Sequence, residues 1–189
     1  MPTPVLHVIV GPNGAGKTTF YERTLGPATR LPFVNADLIA RQRWPDDPAA
    51  HAYEAAELAA ARRRTFVEER RSFATETVFS HPSKLELLRE AREAGFRVYL
   101  HVILVPEELA VRRVGVRVET GGHDVPVEKI RGRFSRLWQL VRLAIPVAHE
   151  AEVLDNSRAT TAFRLVARYH DGDAVGSVDW PPWTPLELR

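Results

Sequence analysis

The chain contains no cysteine. Disulfides, thiolate-held zinc and thiol nucleophiles are therefore excluded, which fits a reducing compartment. No apolar run approaches the about 20 residues that span a bilayer. No basic segment followed by a cleavable apolar one precedes the first apolar stretch, which starts straight after Met1-Pro-Thr-Pro4. The expectation is a cytoplasmic protein with no membrane partner. Charge imbalance is also small: 26 basic against 24 acidic residues leave a formal net charge of +2. No large polyanion is called for, so nucleic acid is not expected as a partner. Lysine is scarce, with only Lys17, Lys84 and Lys129; the other basic residues are arginines, which grip phosphate in a bidentate way. There is no internal repeat and no linker long enough to divide the chain. Its 189 residues suit one domain, 1–189, with a sizeable core.

What is present is organised by one stretch. Val5-Leu-His-Val-Ile-Val10 is rich in β-branched residues and suits a buried parallel strand. It runs into Gly11-Pro12-Asn13-Gly14-Ala15-Gly16-Lys17-Thr18-Thr19, which fits G-x-x-x-x-G-K-[ST] at every fixed position. A triphosphate needs many hydrogen-bond donors in a small concave space, and successive backbone N–H groups supply them. The helix opening near Gly16 aims unpaired N–H groups and its dipole at the phosphates. Lys17 can then reach the β- and γ-phosphates, and the Thr18 hydroxyl can ligate Mg²⁺. The motif predicts binding of a purine nucleoside triphosphate.

Downstream, strand-like and helix-like segments alternate. The spacing predicts a helix over Lys17–Leu25 stopped by Gly26-Pro27, a short strand at Leu31–Val34, and a helix opening at Asp46-Asp47-Pro48 and running to about Arg71. Arg62-Arg63-Arg64 on that helix reads as a solvated face. Ser72–Phe79 alternates as a strand, and Ser83 with Glu86 forms a capping-box pattern for a helix ending at Gly95. Phe96–Val105 is the clearest central strand. Helices over Glu107–Thr120 and from Pro126 flank Gly121-Gly122, and Glu152–Leu154 is a strand. Phe163–Val178 reads as a hairpin turning at His170–Asp173, followed by a Trp180-Pro-Pro-Trp183 tail. The fold expected is α/β: a three-layer P-loop NTPase fold with a mostly parallel central sheet and helices on both faces. A small helical lid at about 107–147 and a C-terminal hairpin and tail at about 158–189 complete it.

Ligands of such sheets sit beyond the carboxyl ends of the strands. The Gly11 loop, Asp37, Glu76 and Asp155-Asn156 should surround one crevice there. Asp37 suits the group that orients an acceptor hydroxyl and takes its proton; the alternative is that Asn35 or Asp37 only caps a helix starting at Leu38. Glu76 can serve Mg²⁺ through water or hold the acceptor, or it can face solvent. Arg113 and Arg117 share a helix face, and Arg131, Arg133 and Arg136 follow the glycine pair. This reads as a mobile lid carrying guanidinium groups to a transferring phosphoryl group, or as a polar helix surface. His123 has no partner at metal-ligand spacing, and Asn156 either contacts adenine or makes a turn.

Taken together, Gly11–Thr19, Val-Asn-Ala-Asp37-Leu-Ile39, Phe-Ala-Thr-Glu76-Thr77, Arg113-Val-x-x-Arg117-Val, Gly-Gly-His-Asp-Val-Pro126, Ile130-Arg-x-Arg133-Phe and Asp-Asn156-Ser157 resemble the zeta-toxin family of P-loop kinases in its compact bacterial branch. The resemblance spans roughly Val5 to Ser157. It implies an ATP-dependent kinase with Mg²⁺, Asp37 as general base, Glu76 positioning the acceptor, and Arg113, Arg117 and Arg133 stabilising phosphate. It further implies a hydroxyl acceptor such as UDP-N-acetylglucosamine and an antitoxin protein as partner. Two departures stand: the chain is shorter than those toxins, and Thr-Val-Phe79 follows Glu76 where a glycine-containing turn is expected. The competing readings are a kinase of nucleosides or nucleic-acid ends, and a nucleotide-hydrolysing switch without a phosphoacceptor. Neither an Asn-Lys-x-Asp guanine-reading motif nor an ABC-type signature is present.

Overall fold

The computed structural model describes residues 2–119 and 125–189. Seven strands form one sheet in the order β2-β3-β1-β4-β5-β6-β7: β1 (Val5–Val10), β2 (Phe33–Val34), β3 (Phe73–Thr77), β4 (Arg97–Leu104), β5 (Glu150–Asp155), β6 (Arg164–His170) and β7 (Asp173–Ala174). The strands from β2 to β5 are mutually parallel, whereas β6 and β7 are antiparallel additions at one edge. The α/β, mostly parallel architecture is as expected from the alternation of elements.

The helices are α1 (Lys17–Phe20), α2 (Gly26–Thr29), α3 (Ala36–Arg43), α4 (Ala52–Glu68), α5 (Ser83–Glu93), α6 (Glu107–Glu119) and α7 (Val127–Ala144). Strand alternation splits the core. Leu6, Val8 and Val10 join Val98, Leu100 and Val102 on one face, under Phe66 of α4, Leu88 of α5 and Trp138 of α7. Ile9, Ala74, Ile103 and Leu154 face the other way, under Phe20 and Ala110. A third cluster, Val114, Val125 and Ile130, sits where α6 meets α7. The Gly121–Asp124 segment, with His123, lies outside the described residues.

Several boundaries differ from those the sequence predicts. Gly26-Pro27 does not stop the first helix: Tyr21–Leu25 widen into a π turn, and the chain continues through α2 to Arg30 at φ +55°. Proline lacks the N–H of a continuing turn and its ring needs room over the preceding carbonyls, which the wider turn gives. Asp47 caps a turn by accepting from Ala50 N–H at 3.1 Å, and α4 starts only at Ala52. The capping box at Ser83 is absent. Ser83 is already helical behind Pro82 at the N-cap, and the ring of His81 accepts from the Ser83 backbone N–H at 3.2 Å. Gly95 ends α5 at φ +81° as predicted. The Asp171-Gly172 hairpin turn forms as predicted, with both residues at positive φ, as a two-residue type I′ connection requires.

Candidate functional site

The phosphate-type loop leaves β1 at Val10 and re-enters helix at Lys17. Gly14 (φ +73°) and Gly16 (φ +92°) carry the turn. A Cβ on Gly14 would stand 2.7 Å from the Ala110 carbonyl, and one on Gly16 would stand 2.6 Å from the Asn156 amide nitrogen. The glycines thus let the loop press against α6 and the end of β5. Asn156 Nδ2 donates to the Ala15 carbonyl at 2.8 Å. This residue follows β5, and its amide is committed to the loop's own backbone. Asp155 beside it accepts from Ser157 N–H at 2.8 Å.

Lys17 is 8% exposed. Its ammonium donates to the Gly11 and Pro12 carbonyls at 3.1 and 3.0 Å. Burial holds it below the ordinary lysine range, while Glu76 and Asp37 favour its charged form and Arg117 and Arg133 oppose it. Five predicted residues from five elements are therefore electrostatic neighbours: Lys17 of α1, Glu76 of β3, Asp37 of α3, Arg117 of α6 and Arg133 of α7. Arg113 is half-buried, with its Cβ 3.2 Å from the place a Gly14 Cβ would occupy. Arg131 points elsewhere: it pairs with Glu107 and Glu108 and ties α7 to α6.

Thr18 Oγ1 donates to Glu76 Oε2 at 2.9 Å. Glu76 is half-buried, so its solvent-facing alternative is not what the structure shows. Burial raises its carboxyl above the usual range against Lys17 and the Thr18 bond; Asp37 raises it further, and an Asn35 contact opposes. The capping question at β2 is also answered. Asn35 is the N-cap of α3, accepting from Leu38 N–H at 3.0 Å. Asp37, in the first turn and exposed, is not the cap, and its charge acts on the Lys17 ammonium. After β3, where the resemblance expects a glycine-containing turn, Phe79 takes φ +64° with its ring buried, and its N–H reaches Thr77 Oγ1 at 3.2 Å.

These residues fit a nucleoside triphosphate with Mg²⁺. Asn13 Oδ1 in the loop is shut from solvent and takes no hydrogen bond among the described residues. The buried ammonium and two nearby guanidinium groups are an anion-seeking set, and the Thr18 hydroxyl with the Glu76 carboxylate offers hard oxygen donors. Among the described residues no group of three or more His, Asp or Glu side chains could hold a metal on its own.

Sequence reasoning missed Arg63. It lies on the stripe Ala55, Ala59, Arg63, Phe66, whose helical spacing marks it as inward-facing, and it is 6% exposed. Separately, a groove of about 560 Å³ lies between α3 and α4, lined by Arg43, Trp44, Glu54, Glu57, Leu58 and Arg64. None of the residues around Lys17 lines it.

A family model described as an AAA domain (AAA_33) matches residues 6–140. A Haemophilus influenzae protein described as uncharacterized is 27% identical over 125 residues, 66% of this chain and 88% of that one. A chain of the AvrRxo1-ORF1:AvrRxo1-ORF2 complex overlays with a TM-score of 0.73 at 17% identity, covering 93% of this chain and 61% of that one. The present chain thus spans about three fifths of that relative's length. A putative kinase from Chloroflexus aurantiacus overlays at 0.62 and 17% identity, covering 82% and 90%. A chain of the PezAT chromosomal toxin–antitoxin system of Streptococcus pneumoniae overlays at 0.63 and 13%, covering 89% and 72%. At such identities the likeness is one of fold, and the fold is that of P-loop kinases. Among the described residues no helix is long and apolar enough to cross a membrane.

Proposed function

This chain belongs to the AAA domain family (AAA_33), and from that premise we propose that it is an ATP-dependent phosphotransferase of the zeta-toxin type that passes the γ-phosphate of ATP to an alcohol. The observation that carries the reading is the meeting of Lys17, Thr18, Glu76, Asp37, Arg117 and Arg133 at the carboxyl ends of the strands, with Asn35 rather than Asp37 spent on capping.

The loop amides of 11–19 and the Lys17 ammonium hold the β- and γ-phosphates. The Thr18 hydroxyl would help hold Mg²⁺, which would supply neutralisation of charge on the phosphate oxygens. Glu76 fixes that hydroxyl and positions the acceptor. Asp37 orients the acceptor alcohol in line with the terminal phosphoryl group and accepts its proton. Arg113, Arg117 and Arg133, on the two helices of the lid, carry positive charge to the transferring group and exclude water. The acceptor we favour is a nucleotide sugar such as UDP-N-acetylglucosamine. AvrRxo1-ORF1 was solved with AvrRxo1-ORF2, and PezAT is a chromosomal toxin–antitoxin system, which supports an antitoxin-like protein partner.

The test is phosphate transfer, followed by mass spectrometry, from Mg-ATP to a panel of UDP-sugars, nucleosides and 5′-hydroxyl oligonucleotides. Asp37→Asn should lower kcat by about 10²- to 10⁴-fold, the usual worth of a positioned base, while ATP still binds. Labelled oligonucleotide instead of sugar would move the assignment to nucleic-acid ends. ATP turnover with no labelled acceptor, indifferent to Asp37→Asn, would leave a nucleotide-hydrolysing switch.

A further inference from the structure

Among the described residues Arg63 is a buried cation without a counter-ion. Its guanidinium carries five N–H donors, yet the contact it makes among the described residues is one long bond, 3.5 Å, to Thr75 Oγ1. The Thr75 hydroxyl in turn donates to the Val34 carbonyl at 2.8 Å. No carboxylate among the described residues pairs with Arg63. Its charged neighbours are Arg64 and Lys84, and burial followed by Arg64 brings its pKa down to about 10. An unpaired charge in a protein interior is expensive, so folds retain one where something outside the chain pairs with it.

Its place in the fold says what that is. Side chains on a helix lean toward its N-terminus, and α4 runs back from the crevice end of the sheet toward the start of β3. Arg63 therefore leans toward the carboxyl ends of β2 and β3, the ends that carry Asn35, Asp37 and Glu76. Lys84 stands in the first turn of α5, the helix that follows β3, and is half-buried beside Arg63. Thr75 and Glu76 are adjacent on β3 and point to opposite faces. The two cations thus lie on the face of β3 opposite Glu76, one strand position from it and level with the end of β2, where the crevice that would hold the acceptor opens.

We infer that Arg63 and Lys84 form an anion subsite for the phosphoacceptor, so that the acceptor is a small molecule bearing, besides its alcohol, a phosphate or carboxylate group. This rests on the phosphotransferase reading above and narrows its substrate class.

The experiment uses the full chain with the nucleotide loop saturated by a non-hydrolysable ATP analogue and Mg²⁺. Inorganic phosphate and, separately, acetate are titrated by calorimetry. Phosphate should bind the wild-type protein, and Arg63→Met and Lys84→Met should each weaken it by about ten- to a hundredfold, with Arg63→Lys in between. The acetate arm decides whether carboxylate serves as well. Without ligand, Arg63→Met should melt no lower than wild type, because a buried uncompensated charge has gone. Equal phosphate binding by wild type and Arg63→Met overturns the subsite. So does a marked fall in melting temperature with no phosphate effect, the behaviour of a structural strut. Among acceptors, matched alcohols with and without an anionic group should differ in KM, and Arg63→Met should erase that difference. Preference for an oligonucleotide over every small anion would overturn the small-molecule assignment. If no alcohol is phosphorylated at all, the transferase reading falls, whereas the phosphate titration still judges Arg63 and Lys84.

Discussion

Asn156 illustrates how one side chain can brace a loop from a distant part of the chain. Its amide donates to the Ala15 carbonyl from the far end of β5, so the loop that β1 launches is braced by a strand two places away in the sheet. Asn156→Ala leaves that buried carbonyl unpaired, a loss of about 1–3 kcal/mol, and lets the loop relax away from the phosphates. We expect ATP-analogue affinity to fall by about tenfold or more in a binding titration, while the melting temperature drops only modestly. Unchanged affinity would mean that the brace is idle. At this scale the sequence was readable where the chemistry dictates spacing: the loop, Lys17, Thr18 and Asp37 stand where the motif and the strand-end rule put them. It was less readable wherever two residues compete for one task. Asp37 could serve as base or, with Asn35, be spent on the cap, and a contact with Leu38 N–H gives the cap to Asn35. Arg63 was obscured by its neighbours, because a triplet of arginines suggests solvent while the four-residue steps from Ala55 and Ala59 suggest the core.

Elements were legible in existence and weaker at their ends. The central strand β4 and the amphipathic α7 follow from unbroken apolar character and from the 3.6-residue spacing of Ile130, Leu137, Trp138 and Val141. Termini turn on single local features, such as Pro82 taking the N-cap ahead of Ser83 or the π turn that carries the chain past Pro27. The C-terminal tail gave no periodic signal, because it has none: it holds on by individual anchors. Leu188 is 6% exposed within the large core cluster, and its short helical turn packs on α7. The Arg189 guanidinium donates back to the Pro181 and Pro182 carbonyls. Leu188→Ala should therefore cost about 2–4 kcal/mol, like other buried leucine truncations, as read by denaturant unfolding. A loss under about 0.5 kcal/mol, typical of a surface site, would show that the tail only rests on the helix.

Across the whole molecule, the sheet has one face that is apolar apart from Thr75 and the Arg63 guanidinium on it, and one whose lower half is polar. On that second face, below Ile9 and Ile103, β1, β4 and β5 place His7, His101 and Glu152 side by side. His7 Nδ1 lies 2.9 Å from His101 Nε2, and His101 Nδ1 lies 2.7 Å from Glu152 Oε1. A carboxylate only accepts, so Nδ1 of His101 carries a proton toward Glu152, and one further proton joins the two rings across the His7–His101 contact. Burial, and then the charge His101 would acquire, lower the His7 pKa from 6.5 to about 4, although Glu152 pulls the other way. Tyr99 stacks on the His7 ring at 4.7 Å, and Arg168 adds positive charge near Glu152. The folded protein therefore keeps His7 neutral in a range where the unfolded chain protonates it. Its contribution to stability is whole above pH 6.5 and is lost as the pH falls toward 4, by at most about 3 kcal/mol and nearer 1–2 after screening of a half-buried ring. Glu152 sits below its ordinary range despite burial, because the His101 bond and charge, Arg168 and His7 outweigh it. Its contribution disappears only at more acid pH, so the two effects separate. Melting temperatures at pH 7.5 and pH 5 should differ clearly for the wild-type chain and much less for His7→Phe, in which the titrating ring is gone but the stack on Tyr99 remains. If both proteins lose the same amount between those pH values, His7 is not the group that makes the fold acid-sensitive.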